Sequence, residues 1–305
     1  MGASLRYSAD AITVIIPTLA RAERSALIER AIDSVCSQRG VEALPLVVVN
    51  GAERDAKVLD SLNRDRRIRL LMANSADLPG ALRLGRASVQ TNFFGALDDD
   101  DLLLPGALRA RLLALKKQPE CVSVVTNGWR RDATGDVLHV SDFAAVRRDP
   151  LRTLLTANWL LPGALLARTP AFEDEEFRRM PRYLECTYLA VCMATTHKTC
   201  WLDEPTIVWC ADTPRSVSKS RDYALGMESA LSRIFELDLP DAARRGFRRK
   251  LAAARNSAAS LHLREGNRRE AWQNHLRALR GPAPWRFLGL TARLMFSGNG
   301  LVRGT

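Results

Sequence analysis

The stretch FFGALDDDDLLLPGAL, Phe93–Leu108, passes from an apolar run to four consecutive aspartates, an apolar spacer and a proline. Phe93–Leu97 reads as a buried strand, short and uninterrupted by polar residues. Pro105 is placed to open a helix over Gly106–Lys117, because its missing N–H costs nothing in a first turn. Between the two lie Asp98, Asp99, Asp100 and Asp101. Four adjacent carboxylates repel one another, and a cation relieves the repulsion. Alone, such a run is equally an acidic turn capping the next helix. At the carboxyl end of a parallel strand it sits where open α/β sheets place their ligands. Oxygen-only ligands favour Mg²⁺ or Mn²⁺, ions usually shared with a ligand's phosphates.

Strands and helices alternate on either side of this stretch. Ala11–Ile16, Leu46–Val49, Ile68–Met72 and Val122–Thr126 are further buried strands. Ser25–Gln38 carries Leu27, Ile28, Ala31, Ile32 and Val35 on one helical face, and Pro79–Val89 reads as a helix with proline near its start. The alternation predicts an α/β fold with a largely parallel sheet. After Asn127 the order changes. Gly128–Val140 and Trp201–Trp209 look extended, Leu151–Trp159 and Tyr183–Thr195 helical, and this half is expected to hold a second substrate. From about Ser220 the pattern is helical, with helices over Leu231–Leu237, Ala242–Leu263 and Arg268–Arg280. Two regions follow: an α/β domain over residues 1–220 and a helical extension over 221–305.

The net charge is +11, and it is confined. Pro240–Thr305 holds 14 Lys and Arg against 3 Asp and Glu, which accounts for the whole excess. The basic character belongs to the extension and the body is neutral. The extension interleaves arginines with Trp272, Trp285, Phe287, Leu288, Leu294, Met295 and Phe296. Basic amphipathic helices of this kind suit an anionic membrane surface, or else pack on the body with arginines facing water. No nucleic-acid motif is present, so no nucleic-acid partner is expected. The six cysteines have no metal-ligand spacing and read as free thiols of a reducing compartment. No stretch is long and apolar enough to span a membrane. MGASLRYSAD is polar, so no signal peptide is expected and the location reads as cytoplasmic.

Four stretches together resemble the family 2 glycosyltransferases. VIIPTLAR (Val14–Arg21) resembles that family's VIIPTYNR, and SVCSQ (Ser34–Gln38) its SVLNQ. ALRLG (Ala81–Gly85) and FFGALDDDDLLLPGAL resemble its ALNxG and FLDDDDxxxPxxL. WLDEPTIVW (Trp201–Trp209) and PRSVS (Pro214–Ser218) resemble its DEPLVxYR and HPGSVS. The likeness covers roughly residues 10–220. It implies a GT-A, Rossmann-like fold and transfer of a sugar, with inversion, from a nucleoside-diphosphate donor to a glycan or lipid-linked acceptor. The resemblance further implies surface polysaccharide or lipopolysaccharide synthesis at the inner face of the cell membrane, with UDP-sugar as the first donor expected.

The resemblance also implies roles. Pro17 and Thr18 would line the base pocket through their backbone. Asp98 and Asp99 would contact ribose or diphosphate. Asp100 would be the direct metal ligand, closing a DxD pattern with Asp98, and the metal would stabilise the leaving diphosphate. An inverting displacement needs one general base. Glu185 is the only carboxylate in the window where the family places it; the plainer reading is a helix-capping charge. Departures are Leu19 for an aromatic, Asn50 for an acidic residue after the second strand, Arg83 for asparagine, and Thr213 for histidine, with Asp212 as a substitute. Asn50 can still bond a base edge, and Arg83 either reaches a phosphate or lies on a solvated helix face. The acidic Glu173–Glu176 run reads as a solvated loop. These departures leave open a binding or scaffold protein that has lost turnover, and the same fold could serve a nucleotidyltransferase.

Overall fold

The computed structural model describes residues 7–73, 77–171, 174–211 and 217–296. The chain forms two compact units, Met1–Pro214 and Arg215–Thr305, a division a few residues ahead of the boundary expected at 220.

The first unit opens with β1 (Ile12–Thr18), α1 (Ser25–Cys36), β2 (Ala43–Asn50), α2 (Ala56–Arg64), β3 (Arg69–Ala73), α3 (Leu78–Ala87) and β4 (Phe93–Ala96). Every residue of β1 is buried, as its β-branched run requires. On α1, Ile28, Ala31, Ile32 and Val35 face the core at the expected spacing. The helix α2 has few apolar residues. It is fixed by Asp55, whose carboxylate accepts the Lys57 and Val58 N–H groups, and by burial of Val58 and Leu62 one turn apart.

Beyond β4 come β5 (Leu102–Leu103), α4 (Ala107–Lys117), β6 (Ser123–Asp132), β7 (Gly135–Leu138), α5 (Phe143–Arg148) and α6 (Pro150–Thr156). Then follow β8 (Leu165–Arg168), α7 (Asp174–Arg179), α8 (Glu185–Thr196) and β9 (Thr199–Cys210). The acidic run thus continues into helix rather than loop: α7 begins at Asp174, and Glu176 is held by His197 at 2.7 Å.

The sheet order is β3-β2-β1-β4-β8-β6-β9-β5, with β7 on β6. β3, β2, β1 and β4 run parallel. β8 is antiparallel to both β4 and β6, and β9 runs parallel to β6. The apolar spacer after the aspartates is β5, antiparallel to β9 through Leu102–Val208 and Leu103–Ile207. The acid loop is therefore held at both ends. Leu97 N–H bonds Ile15 O at 2.9 Å on one side, and Leu104 N–H bonds Thr206 O at 2.9 Å on the other.

The second unit is helical: α9 (Arg221–Ile234), α10 (Asp241–Arg264), α11 (Arg268–Leu279) and α12 (Leu288–Phe296). α9 begins ten residues ahead of its expected start at Leu231, because Ser220 caps it by accepting Tyr223 N–H. Ala259 of α10, Ala271 of α11, and Leu290 and Leu294 of α12 form a buried cluster. No helix among the described residues is long and apolar enough to cross a membrane.

Candidate active site

Parallel pairing sets β1, β2 and β4 side by side and brings their carboxyl ends to one edge. Thr18, Asn50 and the Asp98–Asp101 loop meet there. Pro17 and Thr18 pair with Val48 and Val49, and Asn50, the last residue of β2, is buried.

The four aspartates have four different surroundings. Asp98 is half-buried and accepts no hydrogen bond through its side chain from the described residues. Burial, then the charges of Asp100, Asp99 and Glu185, push its carboxyl up to about 8. Asp99 is buried and takes the Thr18 hydroxyl at 2.5 Å and Arg24 Nε at 3.0 Å on each oxygen. Burial raises its pKa against the pull of those donors. Asp100 is half-exposed; its carboxylate pairs with Arg24 at 3.1 Å, and its carbonyl accepts Arg30 Nη2 at 3.2 Å. Asp101 is fully buried. Its Oδ1 accepts Cys210 N–H at 2.9 Å, its Oδ2 has no partner, and burial holds it well above the usual carboxylate range. Asp101 thus ties the acid loop to β9, and the other three line the carboxyl edge of the sheet.

Arg24 is the residue that sequence reading did not single out. Burial works against its charge, yet the hydrogen bonds and charges of Asp99 and Asp100 hold its pKa above the ordinary range. It lies four residues before Ile28, so it continues the buried face of α1 toward the strand ends. That spacing is the signal that could have found it.

Glu185 opens α8. Its Oε1 accepts Tyr183 N–H at 2.9 Å, and Tyr183 adopts φ 84°, a left-handed backbone uncommon for a tyrosine. Glu185 is close enough to Asp98 for its charge to raise that carboxyl. Its neighbour Cys186 is raised by burial and then by Asp98, Glu185 and Asp101. The first turn of α8 therefore lies within electrostatic reach of the acid loop. Burial raises the Glu185 carboxyl above its ordinary value, which suits a proton acceptor working nearer neutrality. Arg83 is exposed on α3 and makes no ion pair among the described residues. Asp212 and Thr213 lie outside the described residues, as do Pro214–Ser216.

The edge carries an excess of carboxylates over Arg24, and Asp98 and Asp100 keep oxygens turned to accessible space. Among the described residues no three His, Cys, Asp or Glu side chains are grouped to hold an ion by themselves. The open oxygens of Asp98 and Asp100 are the ones that a divalent ion taking one or two carboxylates, with phosphate and water completing its shell, would use.

A Rossmann-like sheet with an acid loop at its carboxyl edge is the architecture of the GT-A class of glycosyltransferases. Within that class the chain belongs to glycosyl transferase family 2, whose family model matches residues 13–168. Solved structures of the same fold include residues 1–349 of S. aureus TarS in complex with UDP-GlcNAc, 15% identical, with TM-score 0.52 over 82% of this chain and 73% of that one. The same protein in complex with UDP is 14% identical, with TM-score 0.51 over 82% and 72%. No curated protein matches the chain by sequence.

Proposed function

We propose that this glycosyltransferase moves a sugar from a nucleoside-diphosphate donor to a glycan or lipid-linked acceptor, with inversion and with Mn²⁺ or Mg²⁺ as cofactor. The observation that carries the reading is that Glu185, a carboxylate whose pKa burial raises, lies within electrostatic reach of Asp98. One-step inversion needs a base on one side of the sugar and an anion-stabilising group on the other. Asp100 and Asp98 are the residues to hold the metal, which when bound supplies positive charge for the departing diphosphate. Asp99 is fixed by Thr18 and Arg24 and orients the ribose end. Pro17, Thr18 and Asn50 border the base, and Arg83 would reach an outlying phosphate oxygen. Glu185 takes the acceptor hydroxyl's proton.

UDP-sugar is the donor favoured, since TarS of the same fold binds UDP-GlcNAc. The pathway favoured is surface polysaccharide or lipopolysaccharide synthesis, with the basic unit associating peripherally with the inner face of the membrane. The test is a panel of nucleotide-sugars with Mn²⁺. Release of a nucleoside diphosphate is the expected result. Release of pyrophosphate from a nucleoside triphosphate and a sugar 1-phosphate, supplied in a parallel reaction, would make the protein a nucleotidyltransferase, and no release in either reaction would make it a binding protein.

A further inference from the structure

The helix α12 is apolar on both sides. Its inner face, Leu290 and Leu294 one turn apart, is buried with Ala259 and Ala271, and Thr291 bonds His275 at 2.7 Å. Its outer face should then be polar, as for any helix at a water boundary. Instead Leu288 and Met295, seven residues apart and so on one side, are 55% and 62% exposed. Phe296 at the end of the helix and Trp285 just ahead of it are 74% and 70% exposed. Among the described residues these are the exposed tryptophan and phenylalanine of the chain. Arg286 and Arg293 are interleaved with them, exposed, and without a carboxylate partner among the described residues. No acidic residue occurs anywhere from Ala271 to Thr305.

We infer that Trp285 and the outer face of α12, with Arg286 and Arg293, form the docking edge of this protein for an anionic lipid bilayer. This gives the membrane association proposed above a location, and it rests on the surface alone, independently of the donor reading. Single exposed apolar side chains are ordinary, but four large ones within Trp285–Phe296 form a patch that water disfavours. The charge selects the occupant. A second copy would bring two acid-free, basic faces together, which repel. A nucleic acid would satisfy the arginines and leave the apolar side chains in water. A bilayer interface takes both: Trp and Phe at the headgroup boundary, Leu and Met in the acyl region, and Arg at the anionic phosphates.

The test uses the full-length protein and vesicles of phosphatidylcholine with or without phosphatidylglycerol. Wild type is expected to pellet with the anionic vesicles at low salt, to release at high salt, and to ignore the neutral ones. W285S/F296S changes two side chains already in water, so the fold is not at risk, and it should lower partitioning by at least 10-fold. R286Q/R293Q should lower it about 30-fold at low salt, at roughly a factor of five for each charge. Leu113→Ser, an exposed leucine on α4 (45%), should change nothing. Failure of wild type to bind anionic vesicles overturns the proposal. So does binding by both double variants at the wild-type level. Lipid-free self-association abolished by W285S/F296S would also overturn it, by assigning the face to a second copy. None of these outcomes bears on release of nucleoside diphosphate, which tests the donor reading separately.

Discussion

Arg24 grips Asp99 with both prongs of its guanidinium: Nε lies 3.0 Å from each carboxylate oxygen, and Nη2 spans from Asp99 to Asp100, 3.1 Å from its Oδ2. Both partners are largely out of water, with side chains 18% and 7% exposed. Arg24 therefore acts as the built-in counter-ion of the acid loop. Replacing it leaves a buried carboxylate uncompensated, which costs about 3–5 kcal/mol in fully buried pairs. With Arg24 partly open to solvent, Arg24→Met should cost about 2–3 kcal/mol in urea unfolding. Mn²⁺ should recover part of that loss by taking the vacated charge. An unchanged unfolding midpoint would show that the pair does not matter.

Glu185 is proposed as the base, and its carboxyl is raised by burial. A base acts only when ionised, so activity should rise with pH through the raised pKa. The acid limb of kcat/KM should lie above the ordinary carboxylate value of 4.5. Glu185→Gln should lower transfer about 10²-fold or more and remove that limb. Donor affinity should stay near wild type. A limb that persists in the variant assigns it to another group.

Asp101 carries no catalytic role in this account. It is fully buried and tied to Cys210 N–H, and burial and the neighbouring carboxylates raise its pKa well above the ordinary range, which favours the uncharged form. A neutral amide has nearly the same shape. Asp101→Asn should therefore change stability by less than about 1 kcal/mol and leave nucleotide binding intact. A large loss in either would mean that Asp101 is ionised and belongs to the reactive edge.

Gly85 closes the ALRLG motif because α3 packs directly on the sheet. A Cβ there would stand 2.5 Å from Ile15 Cγ2 and 3.3 Å from Val48 Cγ2. Forcing atoms into a filled core costs about 1–3 kcal/mol, and the gain in helix propensity returns about 1 kcal/mol at most. Gly85→Ala should thus lower stability on balance, by up to about 2 kcal/mol in chemical denaturation. A stabilised variant would mean that α3 stands further from the sheet.

The sequence disclosed what strong local patterns encode. The β-branched runs of β1 and β2, the spaced apolar face of α1 and the strand–acid–proline order around Asp98 led directly to the fold and the acid loop. Weak patterns stayed hidden. α2 depends on the Asp55 cap and two buried residues, β8 is four residues inside a longer apolar run, and the two residues of β5 have meaning only beside β9. The grip of Arg24 and the sealing of Asp101 depend on tertiary approach. Nothing in the aspartate run itself says which carboxylate is gripped by a guanidinium and which is sealed against Cys210.

The central claim is that the Asp98–Asp100 edge binds a nucleoside diphosphate through a divalent ion. Calorimetric titration of UDP into the full-length protein, with and without Mn²⁺, tests it most directly, with Asp100→Asn alongside. Wild type should bind UDP only with Mn²⁺, and Asp100→Asn should bind at least 10-fold more weakly with its unfolding transition preserved. Equal affinity of wild type and Asp100→Asn in the presence of Mn²⁺ would contradict it.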